Sequence, residues 1–91
     1  MKSVIPNDQE ERCFLCGSYW YIQEHHIFGG PDRPKSEKYG LKVHLCWHCH
    51  NTVHNKDGKE LMQMLHELGQ RTYEETNTRE NFRKEFRKSY L

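Results

Sequence analysis

Apolar residues are scarce in this chain. They make up 34% of its 91 residues, against 30% charged, and Leu, Ile, Val and Phe together number 17. That lies just under the fifth or so of a chain below which disorder becomes the default. A domain of this length buries little more than about 60% of its unfolded surface even with plentiful apolar residues. Apolar burial alone is therefore a weak source of stability. No apolar run approaches the roughly 20 residues of a membrane span. The start, Met1-Lys2-Ser3-Val4-Ile5-Pro6-Asn7-Asp8, holds no stretch long enough for a signal peptide. The expectation is one small domain, not integral to a membrane and not secreted by the usual route, hence cytoplasmic. Internal repeats and low-complexity segments are also missing.

What is plentiful is metal-ligand chemistry: four Cys and seven His. Small chains without a large core are usually held by disulfides or a metal. A reducing compartment favours the metal. The cysteines form two Cys-x2-Cys pairs, Cys13/Cys16 and Cys46/Cys49, with 29 residues between them. Two residues between paired Cys let both sulfurs reach one ion from a single turn, and zinc takes four such ligands in a tetrahedron. A structural Zn2+ site is worth about 10–16 kcal/mol, enough to stand in for a missing core. A thioredoxin-like redox motif would need a βαβ context that this sequence lacks.

Formal net charge is +1 with His neutral. One zinc on four thiolates lowers this to −1, and a second divalent cation restores it, so global charge neither supports nor opposes nucleic acid. Basic residues cluster locally. Residues 32–44 carry Arg33, Lys35, Lys38 and Lys42 against Asp32 and Glu37, and residues 79–88 carry Arg79, Arg83, Lys84, Arg87 and Lys88 against Glu80 and Glu85. A solvated face is the plain reading of each run.

Residues 1–12 read as a loose acidic leader, 13–58 as the zinc domain, and 59–91 as a helical extension packed on it. Gly17 closes the first cysteine knuckle. Tyr19 to Ile27, rich in aromatic and β-branched residues, predicts a strand. Gly29-Gly30-Pro31 and Pro34 stop it, and residues 29–40 read as a polar, basic loop. Leu41 to Leu45 alternates apolar and polar, predicting a second strand antiparallel to the first. Residues 46–54 have helical spacing. Lys59 to Leu68 predicts an amphipathic helix that Gly69 ends or bends. Asn77 or Thr78 caps a last helix on which Phe82, Phe86 and Tyr90 recur every four residues and dock it on the domain. Tyr19, Trp20 and Tyr21 read as hairpin packing, and His66 as a surface residue. The fold class is α+β: a small zinc-stabilised treble clef, with one Cys pair before a hairpin and one where the hairpin enters a helix, followed by C-terminal helices.

Four cysteines fill one zinc, so the histidines are surplus to structure. His50 and His54, four apart, share a helix face. His25 and His26 are strand neighbours and point to opposite sides, so one suits a metal and the other a substrate. His48, between two zinc ligands, faces solvent or DNA.

This order — a His-His pair on the first strand, a second strand, then Cys-x2-Cys-His-x3-His on a helix — resembles the HNH endonucleases, whose ββα-metal fold is a treble clef. The resemblance covers about residues 13–54. It implies hydrolysis of DNA phosphodiester bonds, with His25, His50 and His54 holding a catalytic divalent metal and His26 as general base. It also implies products with 5′-phosphate and 3′-hydroxyl ends. The catalytic metal it implies is Zn2+, Ni2+, Mn2+ or Mg2+, and an all-imidazole site suits zinc, nickel or another transition metal better than magnesium. His25-His26-Ile27-Phe28-Gly29-Gly30 and Ser36 to Cys46 are similar to small HNH proteins of phages and prophages, including the RecA-dependent recombination-enhancement nucleases. That implies a phage setting with a recombinase or other DNA-processing partner. The family's middle Asn would fall near Leu41, yet no Asn occurs between Asn7 and Asn51. The role of orienting the base then passes to a backbone group or to His44, which also stands as a candidate phosphate contact. Arg33, Lys35, Lys38 and Lys42 are candidates for contacts to the DNA backbone. The competing reading is a non-catalytic treble-clef module that binds nucleic acid or protein.

Overall fold

Two four-residue strands, β1 (Gln23–His26) and β2 (Lys42–Leu45), pair antiparallel in a computed structural model that describes residues 1–91. The register sets Gln23 opposite Leu45, Glu24 opposite His44, His25 opposite Val43 and His26 opposite Lys42. Partners directly opposite share a face. His25 and Val43 therefore point inward together, while Glu24, His26, Lys42 and His44 lie on the other face. β1 is shorter than the sequence suggests. Tyr21 sits at φ +45°, a left-handed conformation that no strand contains, and pairing begins only after it.

The hairpin connection is not a loop. A 3-10 turn (Gly30–Asp32) leads into helix α1 (Arg33–Lys38), with Pro34 in its first turn, where no N–H is needed. Ser36, fully buried, accepts from the Phe28 backbone N–H at 3.2 Å and donates to the Leu41 carbonyl at 2.5 Å, tying α1 across both strand ends.

Helix α2 (Trp47–His54) follows β2 directly, with the Cys46 sulfur accepting from the Cys49 N–H at its start. A second 3-10 turn (Lys56–Gly58) opens into α3 (Lys59–Glu74), then α4 (Arg79–Phe86), capped by the Thr78 hydroxyl accepting from the Asn81 N–H at 3.0 Å. The observed architecture is a small α+β fold: hairpin, helix, four-cysteine cluster and C-terminal helices. No helix is long and apolar enough to cross a membrane.

Three sequence expectations give way here. Residues 1–12 are not loose: Ile5 is fully buried, Val4 N–H donates to the Gly40 carbonyl at 2.9 Å, and Asp8 accepts from the His44 N–H at 2.9 Å. This segment covers the otherwise open edge of β2, whose unpaired groups need partners. Gly69 does not end α3. It is where Ile27 and Phe28 approach the helix closely; a Cβ there would meet Ile27 Cγ2 and Phe28 Cε2 at 3.0 Å. Finally, His66 is not a surface residue but stacks on Phe28 (centroids 5.4 Å, 10° between planes) and packs against Tyr90.

The core joins both halves of the chain. Ile27, Phe28, Leu41, Val43 and Leu45 from the hairpin meet Leu65, Tyr73, Phe82 and Phe86 from the last two helices. Phe82 and Phe86 dock α4 as their spacing predicts, with Phe28 4.6 Å from Phe86. Tyr90, beyond the helix, is held by its N–H donating to the fully buried Gln70 at 2.6 Å.

Candidate metal centres and catalytic cleft

The four sulfurs converge as their spacing predicts. Cys13 and Cys16 flank a knuckle closed by the Gly17 N–H donating to the Cys13 carbonyl at 2.9 Å, with Gly17 at φ +80°. Cys46 and Cys49 lie at the N-terminal end of α2. All four Sγ atoms fall within 4.8 Å of one another. The Cys16–Cys46 pair is 3.7 Å apart. That is far beyond a disulfide of about 2.0 Å. It matches the edge of a tetrahedron built on Zn–S bonds of about 2.3 Å, roughly 3.8 Å. Burial raises the Cys13 thiol, but backbone N–H groups of Cys46, Cys16 and Leu15 outweigh it and bring Cys13 down to about 6. Burial, then the neighbouring sulfurs, push Cys49 the other way. Crowded thiolates of this kind are what a bound dication neutralises. The residues present fit a structural zinc.

A second cluster lies across β1 and α2. His25, His50 and His54 bring one ring nitrogen each to within 4.8 Å of the others. Ring centroids are 5.3 Å apart from His25 to each of the other two, and 4.7 Å between His50 and His54. The strand supplies His25 because its period of two turns that residue inward. The helix supplies His50 and His54 because four residues make one turn. His25 is 2% exposed, and its Nε2 is buried without a hydrogen-bond partner. A buried polar atom left unpaired is costly, and in a native protein it calls for a cause. Here two further imidazoles face it. Burial, then repulsion from His50 and His54, lowers His25 to about 4, so its ring is neutral and its lone pair free at physiological pH. His50 Nδ1 lies 2.5 Å from Gln23 Oε1. An amide oxygen only accepts, so Nδ1 carries the proton and Nε2 is the free ligand atom. These three residues fit a divalent metal.

The cluster opens into a cleft of about 310 Å³ lined by Glu24, His25, His26, Gly29, Gly30, Arg33, His50 and His54, with no apolar residue among them. His26 reaches it from the opposite face of β1. Its Nε2 lies 2.7 Å from Glu37 Oε1. Glu37 also accepts from the chain's terminal amine at 2.7 Å and from Lys42 at 3.0 Å. The terminal amine, then His26 and Lys42, hold the Glu37 carboxyl well below the usual carboxylate range. With Nε2–H donating to an ionised carboxylate, Nδ1 is the His26 nitrogen left to accept a proton.

Other predicted site residues are placed elsewhere. His44 is not at the cleft: its Nδ1 pairs with Asp8 Oδ2 at 3.1 Å, in a separate hollow with Lys2, Ser3 and Gln9. The N-terminal segment, read as loose, is what claims it. Lys42 is not a free backbone contact. Its side chain is 6% exposed and held 3.0 Å from both Glu24 and Glu37. Lys35 donates to the Glu85 carbonyl of α4, and Lys38 lies over the Tyr39 ring at 5.2 Å, away from the cleft. Of the four basic candidates only Arg33 lines it.

Two residues that contact the candidate site escape a reading of the sequence. Gln23 carries one signal, its position two before His25 on the same strand. Glu37 carries none, because its reach to His26 exists only once residues 33–38 are helical. No family model, curated protein or solved structure matches the chain.

Proposed function

We propose that this protein is a metal-dependent endonuclease of the HNH type, acting on DNA. The observation that carries the reading is the unpaired, buried Nε2 of His25 facing His50 and His54, with His26 on the same cleft. A metal held by His25, His50 and His54 would supply charge neutralisation at a phosphoryl oxygen and at the leaving oxygen.

The chain's own residues do the rest. His26 takes the proton of the attacking water at Nδ1. Glu37 holds the ring by Nε2 and steadies the imidazolium that forms, so the base is aimed before substrate arrives. Arg33, exposed at the cleft, offers a guanidinium to a flanking phosphate. Lys42 acts through the two carboxylates it bridges, Glu24 and Glu37, rather than on the substrate. Gln23 keeps His50 in the tautomer that leaves Nε2 free.

The test is plasmid nicking with manganese, nickel, zinc and magnesium, run beside His26→Ala. Loss of a positioned base costs about 10²–10⁴ in rate. We expect that loss with metal content and fold unchanged. Undiminished nicking by the variant removes His26 from the mechanism. Metal counting addresses the non-catalytic module: the nuclease holds a tight zinc and a second, exchangeable metal, whereas the module holds one.

A further inference from the structure

Four aromatic side chains stand in solvent beside this centre. Tyr19 is 71% exposed, Trp20 54%, Tyr21 69% and Trp47 52%. They include both tryptophans of a chain that has few apolar residues to spare. Trp20, Tyr21 and Trp47 form a cluster rather than a scatter. Trp20 meets Tyr21 edge-on with ring centroids 4.7 Å apart, and Trp47 edge-on at 5.9 Å. The three rings of Trp20, Tyr21 and Trp47 alone enclose a shallow notch of about 230 Å³.

The backbone is strained to keep it there. Tyr21 is a non-glycine residue at φ +45°, and its exposed ring recovers none of that cost through burial. Strain of this kind persists at functional positions. The notch and the histidine cleft are separate hollows carried by the same two chain segments. Two residues after Tyr21, Gln23 bonds His50. Trp47 and His50 are three apart on α2, so they lie on one face of it. Trp47 and the candidate ligands His50 and His54 form one stripe along α2.

We propose that Trp20, Tyr21 and Trp47 are a stacking platform for unpaired bases, so that the strand cut in the histidine cleft is single-stranded or locally unpaired DNA. The inference rests on the nuclease reading for its chemistry and goes beyond it in naming the substrate class. Aromatic faces stack on any base whose own face is free, whereas closed duplex covers those faces with neighbouring pairs. A peptide segment fits less well. It needs hydrogen-bond or charge partners beside the rings, and the notch is lined by rings alone.

Because both tryptophans lie in the platform, tryptophan emission reads its surroundings directly. The His26→Ala chain, with zinc on its four cysteines and no second metal added so that no strand is cut, is titrated with a ten-nucleotide oligothymidylate and with a blunt duplex. Saturable quenching by the single strand is expected, with the duplex at least about tenfold weaker. Trp20→Ala, read through Trp47, should weaken single-strand binding about tenfold, and Trp20→Phe should recover part of it. Equal affinity for strand and duplex, or no effect of Trp20→Ala, overturns the platform. So does emission that follows protein concentration without DNA while sedimentation shows a dimer, which makes the patch a self-association face. Single-strand binding without nicking by the unaltered chain keeps the platform and rejects the nuclease. Nicking of closed duplex unaffected by Trp20→Ala does the reverse.

Discussion

Glu37 Oε1 and His26 Nε2 are 2.7 Å apart, joined across the short helix α1 and the end of β1. In the proposed nuclease, Glu37 would be the positioning residue that the missing Asn near Leu41 leaves open, a role expected of His44 or the backbone. Glu37→Gln keeps the shape but removes the charge that steadies a protonated His26. Nicking should fall by at least about tenfold, in kcat rather than KM, with both metals retained. Full activity in the variant would show that the contact is merely structural.

Gln23 would do the same work for His50 as a candidate metal ligand. Gln23→Leu frees the His50 ring to turn and to change tautomer. Outer partners of metal ligands are worth about 10–100-fold in affinity. Calorimetric titration of the second metal should show that loss while the cysteine-bound zinc stays. An unchanged second affinity would mean that the 2.5 Å contact does not orient the ring.

His25 makes the histidine centre acid-sensitive. Burial first, then the facing imidazoles, lower it to about 4 in the fold, whereas the unfolded chain protonates it near 6.5. Between those values the unfolded state binds the extra proton. Stability is therefore intact above pH 6.5, declines as pH falls through the window, and levels off below about 4. The full loss is about 3 kcal/mol. Urea denaturation from pH 7 to 5, without the second metal, should show this slope flattened in His25→Leu. That comparison cancels the acid loss of the cysteine site itself. Parallel slopes in the two proteins would refute the assignment.

Chelation tests the four-cysteine site. The knuckle and α2 meet through sulfur, and Cys13, Cys46 and Cys49 lie in the same core cluster as Val43 and Val53. Stripping a structural zinc worth about 10–16 kcal/mol should unfold the domain, read as loss of circular dichroism. Native ellipticity after complete zinc removal would mean that the aromatic core of Phe28, Phe82 and Phe86 suffices.

Much of this was legible beforehand because it depends on short spacings. Cys-x2-Cys reaches one ion from one turn, and His50 and His54 share a face on any helix. Strand alternation sets His25 and His26 on opposite sides, and helical repeat docks Phe82 and Phe86. The aromatic run was misread for an instructive reason. Residues 19–21 have strand propensity, but propensity does not register that Tyr21 would be held at positive φ with its ring left in water.

The sequence by itself determined the four-cysteine pattern, the shared face of His50 and His54 and the hairpin-to-helix layout, since local periodicity places those side chains whatever surrounds them. Only the tertiary structure decided which charged groups meet. Glu37 reaches His26, Asp8 takes His44, and Lys42 is enclosed between two carboxylates, each through contacts spanning 5 to 36 residues. Charge pairing depends on distance in space, and that distance is set by how the N-terminal segment and α1 pack on the sheet.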